Sequence, residues 1–172
     1  MDAMWPAILG RQFGAAIDML ENALRACPET LWNAQVWADP SQRTEFSEFW
    51  YIAYHTLFWL DLYLFGQVEG FAPPAPYTLD ELDPAGLLPD RRYTPDELLS
   101  YIDHCRQKCR QAVDTLTDEK AQQRCTFLWG EVSYAELLLD NMRHVQEHAA
   151  QLNLILGQET GKPARWVTQA RD

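Results

Sequence analysis

Basic residues, thiols and long apolar runs are all scarce in this sequence. It carries 14 Lys and Arg against 25 Asp and Glu, a net charge of −11 over 172 residues. A surface this acidic repels phosphate backbones and anionic lipid, so neither nucleic acid nor a membrane surface is an expected partner. The four cysteines, Cys27, Cys105, Cys109 and Cys125, form no CxxC pair and are too sparse for a disulfide scaffold. Cys105 and Cys109 lie one helical turn apart, where thiols pack as small apolar groups. The expected setting is therefore a reducing cytoplasm. The longest apolar stretch, Phe49 to Leu60, contains His55 and is broken at Asp61, well short of the roughly 20 residues that a membrane helix needs. The first residues hold an acid at position 2 and no basic segment before an apolar run, so they do not read as a signal peptide.

Apolar residues make up 47% of the chain, with seven each of Trp, Tyr and Phe. That is enough for one domain to bury its own core. Helical periodicity dominates. A first helix is expected from about Met4 to Ala26, with apolar positions at Trp5, Leu9, Phe13, Ile17, Leu20 and Leu24. Cys27-Pro28 ends it. A second begins near Asp39-Pro40 or Thr44 and closes at Gly66, and it is apolar almost all round. The third opens on Thr94-Pro95-Asp96-Glu97, a capping box with proline at the first helical position. The fourth opens on a second capping box, Ser133 to Glu136, and runs to about Gly157. No strand-like alternation stands out.

Four helices of about 20 residues predict an all-α four-helix bundle over 1–158, with 159–172 as a tail on which Trp166 is the candidate anchor. The proline-rich connection 67–93 sets the topology. A helix of about 22 residues is about 33 Å long, and an extended chain of that size reaches further. The connection can therefore return to the starting end and lay helix 3 parallel to helix 2. Connections this long usually do something, and this one is expected to cover a pocket mouth.

Histidines carry the chemistry. His144 and His148 are four residues apart, which stacks them on one helical face within reach of a single ion. The pair alone is weak evidence. It gains weight from its place beside the stripe Met142, Val145, Ala149 and Leu152, and from His55 in the most apolar helix. A buried imidazole needs a partner for each nitrogen, and a metal on one with a hydrogen bond on the other supplies both. A hydrogen-bonded buried His55 with a solvated pair elsewhere remains the competing reading. His104 falls off the buried stripe beside basic residues and is expected to be an exposed bystander. Di-iron carboxylate and zincin sites fail on residue type, since no histidine has Glu three residues before it and no HExxH is present. Residue type does not exclude haem, but three histidines aimed at one ion suit a single non-haem metal better. Asn141 and Gln151 flank the pair, and Glu48 lies two turns before His55. All three are candidates to hold a ligand ring or orient a substrate, with helix solubility the competing role for Glu48.

The His-bearing aromatic segment WYIAYHTLFWLDLYLFG, the long crossover and RHVQEHAAQL, preceded by CPETLW after the first helix, resemble the DinB-like (DinB/YfiT) family. The resemblance spans nearly the whole chain. It implies an up-down-down-up bundle, often dimeric, with a divalent metal on three histidines that correspond to His55, His144 and His148. Some members resemble thiol-dependent S-transferases or isomerases that use bacillithiol, mycothiol or glutathione.

Three neutral histidines leave an ion with an open position, as in catalytic sites. The expected function is thus a metal-dependent thiol S-transferase or hydrolase of a small-molecule substrate. The alternative is a non-catalytic metal-binding or stress-response protein. Imidazole suits Zn, Ni and Fe alike. The aromatics of helix 2 point in too many directions for one core face, so the helix is either enclosed or at an interface. A homodimer burying part of helix 1 or helix 2 is expected.

Overall fold

The computed structural model describes residues 4–170. Its order is α1 (Met4–Ala26), α2 (Phe49–Phe65), α3 (Pro95–Asp114), the short α4 (Asp118–Gln122), β1 (Arg124–Phe127), β2 (Gly130–Ser133) and α5 (Tyr134–Thr160). The fold is all-α apart from one small antiparallel hairpin, β1–β2. Each of α1 and α2 lies against both α3 and α5.

Local signals set the helix ends. Thr94 and Ser133 each accept from the backbone N–H three residues on, and Glu97 and Glu136 close both boxes by reaching back to the cap. Gly66 ends α2 at φ 92°, a left-handed position that favours glycine. A Cβ there would also meet the Tyr134 ring at 3.3 Å. Helix α5 runs past Gly157 to Thr160 and stops at left-handed Gly161, because Gly157 is helical and gives room to Pro163.

Three expectations need correction. Helix α2 starts at Phe49 rather than at Asp39 or Thr44. A 3₁₀ turn occupies Thr44–Ser47, and Glu48 is extended, with ψ 145°. Backbone bonds from Phe49 to Ala34 and from Val36 to Ser47 hold this entry against the loop after α1. Secondly, strands do occur. Arg124–Phe127 alternates exposed and buried residues, with Cys125 and Phe127 inward, but at four residues it is too short to register as a pattern. Its Phe127 ring packs 5.0 Å from Tyr63, and Trp129 Nε1 donates to the Tyr63 hydroxyl, closing one end of α2. Thirdly, Trp5 does not join the α1 core stripe and stands 59% exposed.

Most aromatics of α2 are enclosed within the chain itself, while Trp59 is partly buried and Phe65 is 43% exposed. Trp50, Tyr51, Tyr54, Phe58 and Tyr63 are all buried. The crossover covers them by laying Phe71 on Phe58 and placing Tyr77 and Tyr93 against Tyr54. Beyond α5, the chain turns back along α1, where Ala170 N–H donates to Arg11 O and Val167 packs on the core. Trp166, the expected anchor, is 70% exposed. All four cysteines are free thiols. Among the described residues, no helix is long and apolar enough to cross a membrane.

Candidate metal centre

Two hydrogen bonds set how α2 meets α5. The Tyr134 hydroxyl donates to Leu64 O at 2.9 Å, and Asn141 Nδ2 donates to Leu60 O at 3.1 Å. Ascending α5 thus corresponds to descending α2. The next step along both helices brings His55 opposite His144 and His148. Its ring lies 5.3 Å from that of His144 and 5.2 Å from that of His148, with the pair itself 4.6 Å apart. One nitrogen from each falls within 4.8 Å of the other two.

Hydrogen bonds decide which nitrogens face inward. His55 Nδ1 lies 2.7 Å from Glu81 Oε2, and His148 Nδ1 lies 2.7 Å from Gln151 Oε1. Both partners are acceptors, so each Nδ1 carries the proton and leaves its Nε2 lone pair free. His144 Nε2 lies 3.4 Å from His55 Nε2, while its buried Nδ1 has no hydrogen-bond partner. Burial, reinforced by the neighbouring His55 and His148, pushes His144 down to about 2. Burial and His55 also lower His148, against weaker opposition from Gln151, Glu147 and Glu81. Both rings are held neutral, the form that binds metal.

This donor set fits an ion. At metal–nitrogen distances of about 2.0–2.1 Å, two ligands of a tetrahedral ion lie about 3.3–3.4 Å apart, the spacing between His55 Nε2 and His144 Nε2. The tautomer of His144 is not fixed by a partner on Nδ1, so its Nε2 can either donate to the His55 Nε2 lone pair or, with the proton on Nδ1, turn a lone pair toward an ion. A cavity of about 310 Å³ opens on His55 and His148, walled by Trp37, Phe46 and Tyr51 with Gln42 at its edge. Two of the three imidazoles thus line a space of small-molecule size.

Of the residues expected to flank the histidines, Gln151 does so directly through His148. Asn141 is fully buried but spends its amide on Leu60 O and bonds none of the three rings. Glu48 belongs elsewhere. It is 7% exposed and receives a two-point bond from Arg92 and one from Trp50 Nε1, so it is neither a solubilising group nor part of this site. The helical spacing that aligned it with His55 does not apply, because the helix begins one residue later. His104 is exposed and away from the centre, as expected, though its Nε2 lies 3.4 Å from Asp61.

Glu81 escaped the sequence reading. It sits on a 3₁₀ turn, Asp80–Leu82, within the crossover. Its side chain is 4% exposed and accepts from both His55 Nδ1 and Trp59 Nε1. Burial pushes its carboxyl up, but the bond and charge of His55, with Tyr51 and Trp59, outweigh this and hold it below the usual range. The one advance signal was the length of the crossover itself.

A family model described as the DinB superfamily matches residues 12–152, a span that holds all three histidines and the crossover. None of the curated proteins compared with the chain matches it.

Proposed function

This chain belongs to the DinB superfamily, and from that membership and the facing histidines we propose that it binds one divalent metal ion through His55, His144 and His148. The cavity lined by His55 and His148 is the observation that carries this reading further, to a metal-dependent transferase or hydrolase acting on a small molecule. A bound ion would supply Lewis acidity, lowering the pKa of a water or thiol that enters the open position. The chain's own residues do the rest. Gln151 and Glu81 fix the rings of His148 and His55, and Trp37, Phe46 and Tyr51 exclude water from one side of the substrate. A thiol S-transferase is the finer form of this proposal.

The four long helices are read here as an up-down-down-up bundle. Contacts between Trp50 and Tyr93 and between Asp61 and Lys108 support a parallel α2–α3 pair. The homodimer is assigned to the α1–α5 side, where Trp5 and Leu139 are 59% and 50% exposed around an apolar groove. A sedimentation mass that stays monomeric at all concentrations refutes it.

The non-catalytic alternative draws support from Glu81, whose Oε2 accepts from both His55 and Trp59 and so holds a ligand ring in place. Elemental analysis of protein purified without a nickel column tests the shared claim. One ion per chain is expected, with most of it lost in His148→Ala, and no ion bound after reloading refutes it. Turnover of thiol acceptors or small esters by the loaded protein, absent in His148→Ala, then separates enzyme from binder.

A further inference from the structure

We propose that Glu81 is a positioning residue for the metal ion, and that through it the crossover 67–93 and the ion hold each other in place. The inference rests on the metal reading above and adds a control element to it. The ends of the crossover are anchored independently of the histidines. Phe71 packs against Phe58, the Tyr77 ring stacks on Tyr101 at 4.1 Å, and Arg92 pairs with Glu48. The stretch between is held differently. Within Thr78 to Asp90, Glu81 accepts hydrogen bonds from His55 Nδ1 and Trp59 Nε1 on α2, with the Tyr51 hydroxyl as a further partner, and the Thr78 side chain approaches Tyr54. Its neighbouring backbone bonds, from Leu82 to Leu79 and from Asp83 to Asp80, stay within the turn.

One of these anchors is a metal ligand. A carboxylate on the far nitrogen of a ligating histidine fixes its tautomer, aims Nε2 at the ion and makes that nitrogen more basic. Removing such a group typically lowers metal affinity by about 10–100-fold. Binding free energies are reciprocal, so whatever factor the docked turn adds to metal affinity, the ion adds to docking of the turn. The same turn brings Glu81 to the cavity wall beside Tyr51 and His55. Metal loading therefore also shapes the pocket in which a substrate would sit. Loss of the ion weakens the hold on the segment that walls it.

The test uses the full chain, stripped of metal and titrated with zinc against a chromophoric chelator, with amide hydrogen exchange read in both states. The wild type should bind one zinc and show slowed exchange at Asp80 to Asp83 when loaded. Glu81→Gln should bind about 10–100-fold more weakly and lose most of that protection. Trp59→Phe keeps the ring but drops the second donor, and it should shift affinity in the same direction by less. It stands in if Glu81→Gln fails to fold. Wild-type protein that binds zinc without any change at Asp80 to Asp83 overturns this proposal and leaves the metal reading standing, as does unchanged affinity in a folded variant. Wild-type protein that binds no zinc overturns both.

Discussion

Acidifying the metal-free protein from pH 6.5 to pH 5 should destabilise it by up to about 2 kcal/mol through His144. Burial between α2 and α5, beside His55 and His148, lowers this ring from its ordinary 6.5 to about 2. In the unfolded chain the ring takes a proton as the pH falls through about 6.5, while in the folded chain it does not. The unfolded state thus binds more protons throughout the window, and stability falls with pH at about 1.4 kcal/mol per unit for one such group. Over one and a half units this amounts to about 2 kcal/mol. That is a ceiling, because the residue is only partly buried. His148, lowered for the same reason, acts in the same direction. The contribution is fully present above about pH 6.5. Glu81 and Glu97, both held below the usual carboxylate range, begin to lose their own contributions only at lower pH. Urea unfolding in chelator at half-unit steps from pH 7 to 5 measures the slope. His144→Gln, which cannot charge, should flatten it by about 1 kcal/mol per unit. Equal slopes for the two proteins, or wild-type stability that changes by less than about 0.5 kcal/mol across the window, would refute the assignment.

Two further predictions concern packing away from the histidines. Asp61 is fully buried on α2, where Lys108 bonds both its carboxylate and its backbone carbonyl and the Tyr101 hydroxyl donates at 3.0 Å. Lys108→Met leaves that carboxylate without its main counter-charge and should cost about 3 kcal/mol, seen as a Tm lower by about 6–12 °C. Adding Asp61→Asn should recover part of the loss, and strict additivity in the double variant would show that the pair is not coupled. On α1, a Cβ at Gly14 would lie 2.6 Å from the Cβ of Ala170. Gly14→Ala should therefore displace the returning tail while improving helix propensity by up to about 1 kcal/mol. Faster hydrogen exchange at Val167 and Thr168 with an unchanged or raised Tm is the expected result, and unchanged exchange there would mean that the tail accommodates the methyl.

The sequence by itself determined what depends on neighbours within a few residues. The helix starts at Pro95 and Tyr134 follow from capping boxes, the stop at Phe65 follows from Gly66, and the stacking of His144 over His148 follows from helical pitch. Membership of the family was legible too, because the aromatic segment around His55 and the RHVQEHAAQL segment keep their order and separation along the chain. Tertiary structure decided whatever depended on a distant partner. Glu48 looked aligned with His55 until the loop after α1 pulled it into an extended turn, where Arg92 claims it. The aromatics of α2 left open whether the helix is enclosed or at an interface, and Phe71, Tyr77 and Tyr93 cover Phe58 and Tyr54 among them. Glu81 showed no periodicity, no cap and no motif. It reaches His55 because a proline-rich segment closes over α2, through aromatic burial at its two ends and the packing of Leu82 and Leu88 on the core between them. Local hydrogen bonding and helical pitch can be read along a chain, whereas the burial that brings a loop carboxylate to a histidine exists only once the helices have packed.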